Sequence, residues 1–293
     1  MKLNKKDDVK IIKQFSGHSG CVVELYQNDK EFFVRKSSAS PEYNIRLKKQ
    51  FAKQKKFVGS LFVKTPTILN CGMQNGLFYF DMQFVRAQTL AEYIHSIRIT
   101  EIADFVRCLF KSLYLNNNLN NSNAKRVFSV KIESLEHKLA PFLHLKEAFY
   151  KLKEYDWSCV YKSPCHGDLT LENIMITSDH RLYLIDFLDS FYNSWMIDLA
   201  KLFQDVVLKW SFRYQKLSPE TQLRLHVIQE SLTEEILIVP AGREKLSTIY
   251  HILLLNVLRI YPYVKDEVTR DFLDTTVDKM IYFLNSKQEV FPL

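Results

Sequence analysis

Glycine is scarce in this chain: there are seven in 293 residues, about a third of ordinary usage. That excludes collagen-like and Gly-rich linker sequences and makes each glycine informative. Cysteine is sparse as well. The five thiols (Cys21, Cys71, Cys108, Cys159, Cys165) are odd in number and contain no C-x-x-C pair, which excludes a disulfide framework and a zinc ribbon and predicts a reducing, cytoplasmic setting. Long apolar runs are missing too. The most apolar, Ile252–Leu258, falls far short of the ~20 residues that span a bilayer. The opening MKLNKKDDVKIIKQF lacks the apolar core of a signal peptide. No internal repeat is present.

What remains is globular: 47% hydrophobic and 25% charged residues. The net charge of +7 is uneven, since residues 1–64 carry 15 basic against 6 acidic side chains. A basic N-terminal part on a near-neutral remainder predicts anionic ligands near the N-terminus. No nucleic-acid-binding module accompanies the basic surplus, so no nucleic-acid partner is expected.

The patterning predicts an α+β fold. Residues 21–26 and 31–36 are β-rich runs joined by a polar turn, and 61–63, 66–69 and 77–84 are further strand candidates. Pro41 opens a lysine-rich helix between them. From Thr89 onward helices dominate, at 89–115, 130–143, 145–155, 195–212, 218–236, 243–260 and 264–285. The Asn-rich stretch 116–123 reads as a surface loop, and 173–177 and 181–187 form a short β-like interruption. The expected division is an N-terminal lobe, 1–86, with a small sheet and one helix, and a helical C-terminal lobe, 87–293.

The strongest chemical signal is Cys165-His166-Gly167-Asp168-Leu169-Thr170-Leu171-Glu172-Asn173, followed by Leu184-Ile185-Asp186-Phe187. Asp186 and Asn173 offer the hard oxygen ligands that Mg²⁺ takes. Asp168 is a carboxylate able to orient and deprotonate an attacking hydroxyl.

H-G-D-x-x-x-x-N followed by I-D-F resembles the catalytic core of the aminoglycoside phosphotransferase and choline kinase family, whose fold is that of protein kinases. The resemblance implies two lobes, with a small β-sheet N-lobe on a larger helical C-lobe. It implies Asp168 as catalytic base, Asn173 and Asp186 as metal ligands, and ATP and Mg²⁺ as cofactors. Trp195-Met196-Ile197-Asp198-Leu199-Ala200 resembles the helix start that follows the metal loop in this family, so Asp198, with His166, is expected to support the catalytic loop. Phe15-Ser16-Gly17-His18-Ser19-Gly20 resembles the nucleotide-covering loop, in which Gly17, Ser19 and Gly20 approach the phosphates. Lys36 stands at the register of the phosphate-binding strand lysine, with Arg35 on the opposite face. Phe80–Leu90 resembles the last sheet strand and hinge, placing the backbone of Gln83–Val85 at the adenine.

One departure stands out. The family's lysine pairs with a glutamate on the next helix, but Glu42 is the only acid between Glu31 and Asp81. Glu42, Gln50 and Gln54 are the candidates to orient Lys36. The implied reaction is transfer of the γ-phosphate to a hydroxyl of a small molecule: a sugar, polyol or amino alcohol, in surface-glycan metabolism by analogy. The rival reading is a non-catalytic nucleotide-binding scaffold on the same fold. A protein kinase is disfavoured, because no activation segment follows Asp186.

Two charged features read first as solvated helix faces. The basic helix Arg46–Lys56 has weak peripheral membrane or anionic glycan contact as its second reading. Glu267, Asp271, Asp274 and Asp278 form an acidic stripe opposite an apolar face.

Overall fold

The computed structural model describes residues 9–15, 20–28, 31–114, 123–286, 288 and 291. Gly17 and Ser19 lie outside them, as does most of the Asn-rich stretch. The chain forms two compact units, Met1–Ala87 with Ile176–Asp189, and Gln88–Met175 with Ser190–Leu293.

The first unit holds β1 (Lys10–Phe15), β2 (Cys21–Asn28), β3 (Glu31–Ser38), α1 (Asn44–Lys56), β4 (Val63–Lys64), β5 (Ile68–Gln74) and β6 (Leu77–Gln83). Five of these strands make an antiparallel sheet in the order β1-β2-β3-β6-β5. α1 packs on it through Leu47, which meets Phe78, Phe80 and Met82 in a buried cluster. Asn75 and Gly76, both at positive φ (50° and 76°), turn β5 into β6, as Asn-Gly pairs do in tight hairpins. Asn44 fixes the start of α1 on that turn: its amide donates to the Gly76 carbonyl at 2.9 Å and its oxygen accepts from the Phe78 N–H at 2.8 Å.

Continuing along the chain come β7 (Gln88–Thr89), α2 (Leu90–Tyr93), α3 (Ile99–Tyr114), α4 (Ala124–Lys138), α5 (Lys146–Glu154), β8 (Ile174–Ile176), β9 (Leu182–Leu184), α6 (Trp195–Val206), α7 (Pro219–Leu237), α8 (Gly242–Leu258) and α9 (Glu267–Asn285). β9 runs parallel to β4 in the first unit. In the second, α8 is buried nearly all round and packs on α6, while α7 packs on α3. Trp157 and Trp195 are fully buried; Trp157 stacks on Phe128 at 4.3 Å.

Several expectations are corrected. β1 had no sequence signal because it is an exposed strand with no apolar face turned to a core. The single helix expected at 89–115 is two, and a capping box between Thr89 and Glu92 starts the first. α6 stops at Val206 because Lys209 takes a left-handed conformation, φ 60°, which a helix cannot continue. The acidic stripe is largely solvated, with Glu267, Asp271 and Asp278 exposed, but its members also have local roles. Asp274 accepts from the Tyr261 hydroxyl at 2.7 Å and lies 3.0 Å from His144 Nε2, while Asp271 and Asp278 line a cavity.

Gly20 immediately precedes β2. A Cβ there would sit 2.6 Å from the Tyr43 ring, and Gln50 holds that ring in place by donating to its hydroxyl at 3.1 Å. Gly20→Ala is therefore expected to cost about 1–3 kcal/mol of stability, read as a lowered urea midpoint. Replacing Tyr43 by Leu in the same chain should recover part of the loss. An unchanged midpoint for Gly20→Ala would contradict this packing.

Candidate active site

The loop that carries Asp168 is held from below by α6. Asp198 sits in the first turn of α6, wholly buried, and both its carboxylate oxygens are used. Oδ2 accepts from the His166 N–H and Oδ1 from the Gly167 N–H, each at 2.7 Å. Gly167 has φ 93°, a conformation that only glycine adopts without strain, and it lets two successive N–H groups face one carboxylate. His166, also fully buried, accepts from the Asp168 N–H through Nδ1 at 3.2 Å. Asn173 donates its amide to the Asp168 carbonyl at 2.8 Å. Every backbone neighbour of Asp168 is thus pinned, and its side chain projects to Lys201 Nζ at 3.1 Å.

Lys201 and Asp205 were not singled out from the sequence. Lys201 lies three residues after Asp198 on α6, one turn further along the same face, and that spacing was the available signal. Asp205 lies one turn beyond. It is fully buried and accepts from the Leu171 N–H at 2.8 Å, the Ser211 N–H at 3.1 Å and the Ser211 hydroxyl at 2.8 Å. Burial pushes its carboxyl up to about 6, against the opposing pull of those three donors.

In the first unit Lys36 is buried on β3 and forms an ion pair with Asp186, whose side chain is 42% exposed. Asp186 has φ 61°, a left-handed conformation costly for any residue but Gly, Asn or Asp. Phe187 anchors this segment by packing against Phe57, with ring centroids 5.4 Å apart. Lys53 donates to the Leu188 carbonyl at 2.7 Å, and Lys49 pairs with Asp189 at 3.1 Å. The basic helix is therefore partly a clamp on the Asp186 segment rather than a solvated face throughout. Arg35 points away from Lys36. It grips Asp81 with two hydrogen bonds, 2.6 and 2.9 Å, and lies 4.1 Å over the Tyr79 ring.

None of the three candidates to orient Lys36 reaches it. Glu42 is exposed at the start of the helix, and a hydrogen bond from Ser40 lowers its carboxyl below the ordinary value. Gln54 donates to the Pro66 carbonyl at 3.1 Å. Gln50 donates to Tyr43, and its amide oxygen is buried without a partner. Lacking a helix carboxylate, Lys36 takes Asp186. In the stretch expected at the adenine, the Gln83 N–H is already engaged by the Thr67 carbonyl at 2.9 Å, and Val85 is buried.

Asn173 and Asp186, which belong to different units, each offer an oxygen of the kind Mg²⁺ takes. Asn173 has its amide nitrogen tied down, which leaves the oxygen as its free end, and Asp186 is a half-exposed carboxylate. Mg²⁺ keeps most of its waters and asks the protein for one or two such oxygens beside the phosphates. Among the described residues no three His, Cys, Asp or Glu side chains gather into an all-protein metal cage.

A family model described as the phosphotransferase enzyme family matches residues 11–216, and the chain belongs to that family. The fold agrees with solved structures of aminoglycoside phosphotransferase APH(4)-Ia. The crystal structure matches at TM-score 0.61 with 12% identity over 94% of each chain. A thermostable mutant in ternary complex with AMP-PNP and hygromycin B gives the same values. Another, with ADP and hygromycin B, matches at TM-score 0.56 and 11% identity over 95% of this chain and 96% of that one. No curated protein matches the sequence.

Two outcomes follow from the charges. Asp186→Asn should destabilise the protein more than Lys36→Met, because it leaves an ammonium buried without its partner, a loss of about 3 kcal/mol or more, whereas Lys36→Met leaves a carboxylate that water reaches. Equal urea midpoints would contradict the asymmetry. Asp205 titrates higher folded than unfolded, so its contribution to stability is full below about pH 4 and is lost as pH rises through about 6. Stability relative to Asp205→Asn, which carries no titrating charge, should therefore be greater at pH 4.5 than at pH 7.5. A difference that stays flat across that range would contradict the burial of a charged Asp205.

Proposed function

We propose that the chain transfers the γ-phosphate of ATP to a hydroxyl group of a small molecule, with Mg²⁺. The observation that carries this reading is the pinned Asp168. A carboxylate whose preceding backbone is gripped by Asp198, whose N–H is taken by His166 and whose carbonyl is taken by Asn173 is positioned at a cost that packing alone does not require.

In this reading Asp168 orients the acceptor hydroxyl and accepts its proton. The hydroxyl oxygen bonds to the γ-phosphorus as the bond to the bridging oxygen of ADP breaks. Lys201 would keep the Asp168 carboxylate turned to its task. Lys36 would hold the α- and β-phosphates, and exchanging Asp186 for phosphate oxygens would free that carboxylate for the metal. Asp186 and the Asn173 oxygen would hold Mg²⁺, which supplies charge withdrawal from the phosphate oxygens. Gly17, Ser19 and Gly20 would contact the phosphates, and the backbone at Gln83 and Val85 would contact adenine. Residues 1–86 would serve the nucleotide and 87–293 the chemistry and the acceptor. The AMP-PNP and ADP bound by the APH(4)-Ia mutants support nucleotide use. The five free thiols support a cytoplasmic setting.

For the acceptor we favour a neutral or phosphorylated hydroxyl compound over an aminoglycoside, since the chain's basic surplus repels polycations. One observation favours a second reading, a nucleotide-binding scaffold without turnover: α1 brings no carboxylate to Lys36.

The roles separate in two variants. Asp168→Ala should bind ATP nearly as the parent does while kcat falls by about 10²–10⁴. Asp186→Ala should lose Mg²⁺-dependent ATP binding itself. Calorimetric titration with ATP beside ADP-release kinetics reads both, and equal loss of ATP affinity in the two variants would overturn the assignment.

A further inference from the structure

Just past α6 the chain turns at Lys209, and this turn, α9 and Phe291 line a cavity of about 790 Å³, a size typical of small-ligand sites. Its surface is mainly apolar, with Phe212, Leu217 and Phe272 among the lining side chains. Five charged residues complete it: Lys209, Arg213 and Lys279, with Asp271 and Asp278. None of these five forms an ion pair with any described residue.

The cations are placed where an anion could pair with them. Lys209 is half-buried in a left-handed turn, and both burial and the nearby Lys279 charge lower its ammonium below the ordinary value. Two like charges that feel each other form an arrangement that an anion stabilises. Arg213 is held flat against Trp210 and Tyr214, with its guanidinium 4.0 and 4.3 Å from the two ring centres. Its Nη1 donates to the Trp210 carbonyl at 3.0 Å, and its Nε is out of solvent with no hydrogen-bond partner. Asp271 and Asp278 are exposed at the rim and can accept from hydroxyl groups.

We propose that this cavity binds a phosphorylated sugar or polyol, its phosphate on Lys209, Lys279 and Arg213 and its hydroxyls on Asp271 and Asp278. A purely apolar ligand would leave the cations unpaired, and a polycation would meet them head-on. A sugar phosphate matches both the charge excess and the hydroxyl-accepting rim. The site is wired to the catalytic loop. Asp205 holds Leu171, three residues past Asp168, with one carboxylate oxygen, and Ser211, two residues before Arg213, with the other.

The test is calorimetric titration of the full chain with glucose 6-phosphate, and with glucose and inorganic phosphate as references. Glucose 6-phosphate should bind best, and Lys36→Ala should bind it as the parent does, which separates this cavity from the nucleotide site. Lys279→Gln, a change on an exposed helix position that leaves folding intact, should weaken binding about tenfold or more, and adding Lys209→Gln should abolish it. Lysine side-chain NMR should show the Lys209 pKa rising on saturation, a readout that a merely structural lysine would not give. The proposal is overturned if glucose binds as tightly as its phosphate, if binding depends on Lys36 and not on Lys209 and Lys279, or if only phosphatidylglycerol vesicles bind. It stands or falls without reference to ATP turnover.

Discussion

The buried carboxylates of α6 are the constraint on which the rest of the site depends. Asp198 binds two successive backbone N–H groups through both of its oxygens, with no solvent to compete. A carboxylate accepting charge-assisted bonds in a dry interior is strongly directional. It fixes Gly167 at φ 93° and, through it, the direction in which the next residue leaves. Asp205 repeats the device two helical turns on and ties Leu171 to Ser211. α6 is buried on nearly every face, so neither carboxylate has room to move. Asp168 owes its position to this helix as well as to His166 and Asn173 of its own loop.

The first unit reaches a comparable end by different means. Here the acid of the I-D-F run and the strand lysine satisfy each other, and α1 serves as a clamp on the segment beyond, through Lys49 and Lys53. The helix that supplies a carboxylate to the lysine in the family pattern supplies cations to the Asp186 segment in this chain.

How much of this could be read from the sequence differs residue by residue. The α+β class, the helical C-terminal part and the family were legible, because the long amphipathic helices and the H-G-D-x-x-x-x-N spacing are local patterns. The Asn75-Gly76 turn is a local hairpin signal, and β5 extends up to it at Gln74, past the strand expected at 66–69. β1 was invisible because an exposed strand has no periodic apolar face. Asp205 could not be found, since its role depends on Leu171 and Ser211, 34 residues before it and 6 after it. The partner of Lys36 lies 150 residues away, so no search along the neighbouring helix would have reached it.

The account rests on Asp168 performing phosphate transfer and not merely lining a binding site. Phosphorus NMR on the protein with ATP, Mg²⁺ and a panel of sugars, polyols, amino alcohols and their phosphates tests it most directly. The account predicts a new phosphate monoester resonance that grows in step with ADP, for at least one neutral or phosphorylated hydroxyl compound, and that is lost in Asp168→Ala. Tight ATP binding with no phosphate monoester formed from any acceptor would contradict it.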